Sequence, residues 1–206
     1  MPEARDFREY NPLDYENLTW TLVRELLTRG PFDLPLMEPF VGSGVYALFY
    51  DGDFGPYRTL RSADASTPIY AGKAVPAGSR KGNSKNFDGK ALFKRIGEHV
   101  ASINAAENLD IAHFRCRFLV VTPLWITMAE RFLIEHFRPV WNQCIDGFGN
   151  HTPGIRRGEG EISWWDALHP GRPWARGLRR TRSETDAQRR LQSFLGVNRA
   201  SDGEPA

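Results

Sequence analysis

The sequence predicts a mixed α/β (α+β) fold in which a few short strands alternate with amphipathic helices. Two segments, 44–50 and 68–73, are rich in the β-branched and aromatic residues that strands favour. Residues 113–121 alternate between apolar and polar side chains, which indicates a third strand. Between the second and third of these segments, residues 90–104 carry apolar side chains at the spacing of a helix with one buried face. With 206 residues, of which 41% are hydrophobic, the chain can bury a sizeable core.

A further helix is expected ahead of the first strand, over residues 14–28. Asp14 is a suitable N-cap residue and Gly30-Pro31 a suitable stop. The residues of its apolar stripe are Leu18, Leu22, Val23 and Leu26. The proline-rich connection that follows is expected to be extended, so that residues 1–40 form an N-terminal helical arm before the main fold.

The first two strand segments carry conspicuous tyrosines. In the first, Tyr46 and Tyr50 alternate with apolar residues, so that one face is apolar and the other offers two phenols. The second ends in Tyr70-Ala-Gly-Lys73, a small-residue turn that allows a close approach to the backbone. The connection 51–67 is polar and too long for a tight turn, so it is predicted to be a surface insertion. On these residues alone, an ordinary β-hairpin with two half-buried tyrosines is the simpler interpretation.

Two later helices place polar side chains close to their buried faces. In the helix after the second strand, Arg95 and His99 are four residues apart and therefore neighbours beside the apolar stripe. A single helical histidine is more often structural than catalytic. The next helix is expected to begin at Pro123, with Thr122 as its N-cap, and to run to about Phe137.

Glu130 is the unusual residue of that last helix. Three apolar residues that follow it at helical spacing place it toward the buried face, whereas Glu135 lies on the opposite, polar face. A carboxylate directed inward is costly unless it is paired or bound to a cation. A capping box from Thr127 to Glu130 is the structural alternative, but it would require the helix to begin well after the Thr-Pro start.

The net charge of +2 conceals two basic blocks. Residues 73–99 carry seven Lys or Arg against two acids, and residues 172–190 carry seven Arg against two acids, a balance of +5 in each. Residues 1–64 carry a balance of −5. This asymmetry favours a polyanionic partner, although two solvated loops would also explain it. The segment 74–90 is low in apolar residues and is predicted to be a loop that is either mobile or ordered by a partner.

Residues 146–206 are predicted to form a C-terminal extension. It opens with a glycine-rich polar loop at 146–154, and the last residues, 196–206, are expected to fray. Three tryptophans are expected to pack the extension onto the domain, namely Trp164, Trp165 and Trp174.

The two cysteines, Cys116 and Cys144, match no metal-ligand spacing. Cys116 falls on the inward positions of the third strand and is expected to be a buried thiol. No apolar run approaches the length of a membrane span and the N-terminus has no signal pattern, so a cytoplasmic protein is expected.

In their order along the chain, these residues resemble the GIY-YIG nucleases. The matching residues are Gly44-Val45-Tyr46, Ile69-Tyr70-Ala71-Gly72, Arg95 and His99 on one helix, Glu130 on a later helix, and Asn142 twelve residues after it. The tyrosine segments alone are weak, but together with the arginine helix and the Glu-to-Asn spacing they are specific. The resemblance covers residues 41–145. It departs from the family's pattern in Val45, in Ala71 and in the longer connection between the two halves.

The wider chain is similar to a narrower group of this family, the type II restriction endonucleases that cut CCGCGG. The stretches that carry this similarity are 72–78, 146–154 and 169–174. The resemblance implies a small three-stranded sheet, mixed or antiparallel, flanked by helices and with the site on one sheet face. It also implies a Mg²⁺-dependent, sequence-specific deoxyribonuclease that hydrolyses the phosphodiester in one step.

The family's site residues are carried over onto the matching positions. The catalytic residues that the resemblance implies are Tyr46, Tyr70, Arg95, His99, Glu130 and Asn142, with Lys73 as an accessory to Tyr46. Glu130 is expected to hold one Mg²⁺ and Arg95 to bind the scissile phosphate. Tyr46 is the expected base, with a pKa lowered by Arg95 and the cation, while Tyr70 and His99 position water and phosphate.

Double-stranded DNA is the expected partner. The residues expected to contact it, beside the cluster at 172–190, are Arg80, Lys81, Lys85, Asn150, His151, Arg156 and Arg157. Arg and Lys side chains read guanine in the major groove, which suits a G·C-rich site. A palindrome is most simply cut by a two-fold symmetric pair of subunits, so a homodimer is expected on DNA.

Two other interpretations stay open. One is a repair- or homing-type nuclease of the same superfamily, but those enzymes are normally modular, and only about sixty residues lie beyond the core here. The other is a non-catalytic DNA-binding protein with a degenerate nuclease fold. Against it, all six family positions carry chemically competent side chains.

Overall fold

The computed structural model describes Asn11 and residues 13–76, 89–150 and 160–201, with side chains as far as Gly196. The strands are β1 (Phe32–Asp33), β2 (Gly44–Tyr50), β3 (Tyr70–Ala74) and β4 (Phe114–Val120). The helices are α1 (Tyr15–Thr28), α2 (Ala91–Ala105), α3 (Ile126–Phe137), α4 (Val140–Gln143), α5 (Trp164–Leu168) and α6 (Glu184–Ser201).

The four strands form one antiparallel sheet in the order β1-β4-β2-β3. The expected pairing of the two tyrosine strands is confirmed, with Tyr46 of β2 opposite Gly72 of β3. The third expected strand, β4, pairs with the other edge of β2. The additional strand, β1, is only two residues long, too short for any alternation in the sequence to reveal it.

Helices cover both faces of this sheet. On one face, Tyr46 and Tyr50 of β2 pack in a cluster with residues of α2, α4, α5 and α6. On the other, Val45 and Phe49 pack in a cluster with residues of α1 and α3. Every residue of β2 is buried as a result, so its tyrosines are covered completely rather than half-buried.

The long helices lie close to their expected positions because their apolar spacing matches the layer that each one covers. In α2, the stripe of Leu92, Ile96, Val100 and Ile103 is buried as expected. The start of α3 differs from the prediction. Residues Pro123–Trp125 form a turn of 3₁₀ helix after Thr122, and the α-helix begins at Ile126.

The connection 51–67 is not simply the surface insertion that its polar composition predicts. It contains a 3₁₀ helix, Gly55–Leu60, whose Tyr57 is fully buried. The Tyr57 hydroxyl accepts a hydrogen bond from Trp141 Nε1 at 2.8 Å and lies 2.6 Å from His169 Nε2. One aromatic anchor therefore ties an otherwise polar segment into the core.

The C-terminal segment continues the core. Trp165, Leu168, Ala187 and Leu191 belong to the same buried cluster as Tyr46, so the expected packing by a tryptophan is confirmed. Helix α6 continues to Ser201, and the rest of the end that is expected to fray, residues 202–206, lies outside the described ranges.

Cys116 is a buried free thiol, as expected, and burial raises its pKa to about 12.

Within the described ranges, no helix is both long enough and apolar enough to cross a membrane.

Candidate active site

An open cleft of about 530 Å³ lies along the free edge of β3. The polar and charged side chains that line it are Tyr70, Lys73, Lys90, Lys94, Arg95, Glu98 and Glu130. Tyr70 and Arg95 reach the cleft from the layer of α2, whereas Glu130 reaches it from α3 on the opposite sheet face. The site therefore straddles the edge strand, and the expectation of a site on one sheet face is wrong in this respect.

Tyr46 and His99 form a buried pair beside the cleft. The Tyr46 hydroxyl lies 2.6 Å from His99 Nε2, and the two side chains are 0% and 1% exposed. The ring of Tyr70, which lines the cleft, packs against both of theirs, with centroids 6.2 Å from Tyr46 and 5.1 Å from His99. A Cβ at Gly72 would come within 2.6 Å of the Tyr46 hydroxyl, so glycine is needed opposite this phenol.

Burial dominates the acidity of both phenols. It raises the pKa of Tyr46 well above the ordinary value of 10.0, and the neighbouring Tyr70 raises it further, while Arg95 lowers it. Burial likewise raises the pKa of Tyr70, again against the charge of Arg95. Arg95 therefore acts on the Tyr46 pKa in the expected direction, but in the protein alone the loss of solvation outweighs it and the net shift is upward.

Arg95 is held in place at the cleft wall by three kinds of partner. Its Nη1 donates to Glu98 Oε2 at 2.7 Å and its Nη2 to the carbonyl oxygen of Gly149 at 3.0 Å. It also interacts with the hydroxyls of Tyr46 and Tyr70. The two acceptors Glu98 and Gly149 were not identified from the sequence. The i, i+3 spacing of Arg95 and Glu98 is a signal that could have revealed the first.

Glu130 is not an unpaired inward carboxylate. Its Oε2 lies 2.8 Å from Lys73 Nζ, and both side chains are partly exposed. Lys73 Nζ also donates to Thr127 Oγ1 at 3.4 Å. The expected accessory to Tyr46 is thus paired with Glu130 across the cleft edge, and the pair was invisible in the sequence because its members are far apart in the chain.

Asn142 supports the edge strand and does not line the cleft. Its Oδ1 accepts from the Ala71 backbone N–H at 2.8 Å, and its Nδ2 donates to the Ala71 carbonyl at 2.8 Å. This carboxamide satisfies both backbone groups of the residue between Tyr70 and Gly72. These bonds fit a residue that orders the site, and a direct part for Asn142 in catalysis stays a prediction.

The expected DNA-contacting residues fall mostly outside the described ranges. Those outside are Arg80, Lys81, Lys85, His151, Arg156 and Arg157. Asn150 is described and exposed. Two exposed lysines that line the cleft, Lys90 and Lys94, were counted in the first basic block but not singled out. Lys90 is the N-cap residue of α2 and Lys94 directly precedes Arg95, and this closeness to Arg95 was the signal.

The donor set suits a divalent cation that is shared with a phosphate. Within the described part of the chain, no group of three or more His, Cys, Asp or Glu could enclose a metal ion. Two carboxylates line the cleft: Glu98, which accepts from Arg95, and Glu130, which lies across the edge strand from it. Mg²⁺ commonly takes one or two protein carboxylates and completes its shell with waters and substrate phosphate oxygens, so Glu130 fits this ion.

One known family matches most of the chain. The Eco29kI GIY-YIG domain matches residues 38–195, which is more than half of the chain and includes every site residue described above. A comparison with curated proteins gave no match. The chain therefore belongs to the Eco29kI GIY-YIG domain family, a family of restriction endonucleases.

Proposed function

We propose that this protein is a type II restriction endonuclease that hydrolyses a phosphodiester in each strand of double-stranded DNA, with Mg²⁺ as its cofactor. The observation that carries the proposal is the cleft at the edge of β3. Tyr70, Arg95 and Glu130 all line this cleft, and Tyr70 packs against the Tyr46–His99 pair. Membership of a restriction endonuclease family supports the same reaction.

Arg95 supplies the clamp on the scissile phosphate. Its guanidinium is planar and permanently charged, and it is prevented from swinging away by Glu98 and Gly149. A preorganised cation of this kind stabilises charge that develops on phosphoryl oxygens without reorganising during the reaction.

The Tyr46–His99 pair supplies the base. With its raised pKa, Tyr46 does not ionise by itself at neutral pH. Its hydrogen bond to His99 Nε2 provides an acceptor, so that Tyr46 takes the proton of the attacking water as its own proton moves to Nε2. This requires the His99 tautomer that carries its hydrogen on Nδ1. Tyr70 and Arg95 border both Tyr46 and the cleft, and they position the water and phosphate.

Glu130 is the residue that would hold Mg²⁺. When bound, the cation supplies Lewis-acid stabilisation of the phosphoryl and leaving oxygens. Lys73 balances the Glu130 carboxylate in the protein alone and adds a positive charge to the cleft wall. Lys90 and Lys94 supply contacts to flanking phosphates of the duplex.

The proposed recognition site is CCGCGG, read by a homodimer. The similarity of the stretches 72–78, 146–154 and 169–174 to enzymes with this specificity supports it. The sequence is a palindrome, and two-fold symmetric pairs of subunits match two-fold symmetric sites.

A digest of mixed plasmid DNA with and without Mg²⁺ tests the proposal. Discrete Mg²⁺-dependent fragments that all end within CCGCGG are expected. Incision confined to branched or damaged DNA would replace the proposal with a repair-type nuclease. Specific binding without any cleavage would replace it with a non-catalytic DNA-binding protein.

A further inference from the structure

A buried ion pair outside the cleft joins α5 to the segment that follows it. Arg172 and Asp166 are 2% and 3% exposed, with Nε to Oδ1 at 2.6 Å and Nη2 to Oδ2 at 2.7 Å. The guanidinium also lies between the rings of Trp165 and Trp174, at 4.4 and 4.5 Å from their centroids. Buried ion pairs of this kind are weak sources of stability, because desolvation offsets much of the attraction. The remaining contacts of Arg172 indicate that it does more than pair with Asp166.

The other hydrogen bonds of Arg172 go to a single loop. Nη2 donates to the carbonyl of Gly147 at 3.0 Å and Nη1 to that of Phe148 at 3.1 Å, with a longer contact to Asn150 O at 3.5 Å. Gly147 has a φ of +103°, and a Cβ there would come within 2.2 Å of Ser163. The loop 147–150 is therefore fixed from one side by Arg172 and α5.

The opposite side of this loop contacts the site. The Gly149 carbonyl accepts the hydrogen bond from Arg95 Nη2 at 3.0 Å. The ring of Phe148 stacks on His99 with centroids 4.4 Å apart and meets Tyr70 edge-on at 5.0 Å. One short segment thus separates Arg172 from the groups proposed to bind phosphate and accept the proton.

We propose that Arg172, through the loop 147–150, is a positioning residue that fixes the Arg95 guanidinium and the His99 imidazole for the reaction. The inference rests on the proposed function, because it concerns the geometry of those two groups. It predicts that weakening the hold on the loop slows the chemical step more than it weakens DNA binding.

The chain offers a matched control in a second buried arginine. Arg117 lies on the other face of the sheet and donates to the carbonyls of Leu27, Arg29 and Ala65 at 2.8 to 2.9 Å. Its replacement therefore removes the same kind of arginine-to-carbonyl bonds without touching the loop 147–150.

The test compares Arg172→Lys with Arg117→Lys in the full chain, well below both unfolding temperatures. Single-turnover cleavage, DNA affinity and the pH dependence of the rate are measured on a CCGCGG duplex. We expect Arg172→Lys to lose roughly tenfold to a hundredfold in single-turnover rate with affinity nearly unchanged, and to shift its pH–rate profile. Arg117→Lys should lose thermal stability but keep the wild-type rate and profile.

A folded Arg172→Lys protein with the wild-type rate and pH profile would overturn the inference. If that variant does not fold, Asp166→Asn decides by the same measurements, because it weakens the hold on Arg172 while preserving shape. Failure of the proposed function is distinguishable, since the wild-type protein itself would then not cleave the CCGCGG duplex.

Discussion

At the scale of single residues, two buried tyrosine–histidine pairs share one side of the sheet, and only one of them borders the cleft. Both pairs have a hydroxyl-to-Nε2 distance of 2.6 Å. Tyr46 and His99 adjoin Tyr70, whereas Tyr57 and His169 are enclosed in the core. The surroundings of a pair, and not its own geometry, therefore decide whether it can take part in chemistry.

The core pair is fully satisfied in its neutral form. His169 Nδ1 lies 2.8 Å from Asn108 Oδ1, and the Asn108 carboxamide donates to the Leu168 carbonyl. The imidazole therefore donates from Nδ1 and accepts from the Tyr57 hydroxyl at Nε2. Burial, and secondarily the charge of Arg172, lowers the pKa of His169 from 6.5 to about 3.

Because the pKa of His169 is lowered in the Tyr57–His169 pair, we expect the protein to lose stability in acid. Between the two pKa values the unfolded chain binds a proton that folded His169 excludes, so stability falls as the pH decreases from 6.5 toward 3. The loss from this residue is about 1.4 kcal/mol per pH unit in that window, or roughly 2 to 3 kcal/mol between neutral pH and about pH 4.5. Urea unfolding at several pH values measures it.

His169→Gln should flatten that dependence relative to the wild type, although it lowers stability overall. His113→Gln, at a half-buried histidine outside the pair, is the control and should keep the wild-type slope. Equal slopes for the wild-type protein and His169→Gln would show that His169 is not the group responsible.

The proposed dependence of turnover on Mg²⁺ can be tested at Glu130. Glu130→Ala should abolish Mg²⁺-dependent turnover, with a loss of roughly a hundredfold or more, because the cleft loses its carboxylate ligand. Glu135→Ala is the matched control on the same helix, since Glu135 pairs with Arg131 on the exposed side. Titration of the rate with Mg²⁺ measures both variants, and undiminished turnover in Glu130→Ala would mean that another residue holds the cation.

At the scale of elements, periodicity was sufficient for the long helices but not for the short anchors. The stripe of α2 and the alternation of β4 repeat often enough to be read from the sequence. A two-residue strand such as β1 has no period, and Tyr57 is the one fully buried aromatic residue of a polar segment. Likewise, the pairing of Lys73 with Glu130 depends on how α3 lies against β3, which no local pattern records.

The support of the edge strand β3 by Asn142 can be tested by measuring stability. Asn142→Ala removes both hydrogen bonds to Ala71 on the edge strand, so it should cost roughly 2 to 3 kcal/mol of unfolding free energy. Gln143→Ala, at the exposed neighbouring position in α4, should change stability by less than about 0.5 kcal/mol. Denaturant unfolding measures both, and a wild-type midpoint for Asn142→Ala would contradict a supporting role for this side chain.

At the scale of the whole molecule, the site depends on parts of the chain that the sequence appeared to separate. Six positions of the candidate site could be identified from their resemblance to a family. The structure brings four of them, Tyr46, Tyr70, Arg95 and His99, into one cluster. The support from Arg172 could not be identified, because it arises only when the C-terminal segment folds back and its loop contacts the cluster.

The claim that these distant groups act on one phosphate is tested most directly by removing the Tyr46 hydroxyl. Tyr46→Phe should lower the single-turnover cleavage rate roughly 10²- to 10⁴-fold, the usual contribution of a positioned base, and leave DNA binding largely intact. Tyr50→Phe is the matched control, because Tyr50 lies on the same strand and sheet face and its hydroxyl accepts from the Phe54 backbone N–H. Normal cleavage by Tyr46→Phe, or an equal loss in Tyr50→Phe, would contradict the account.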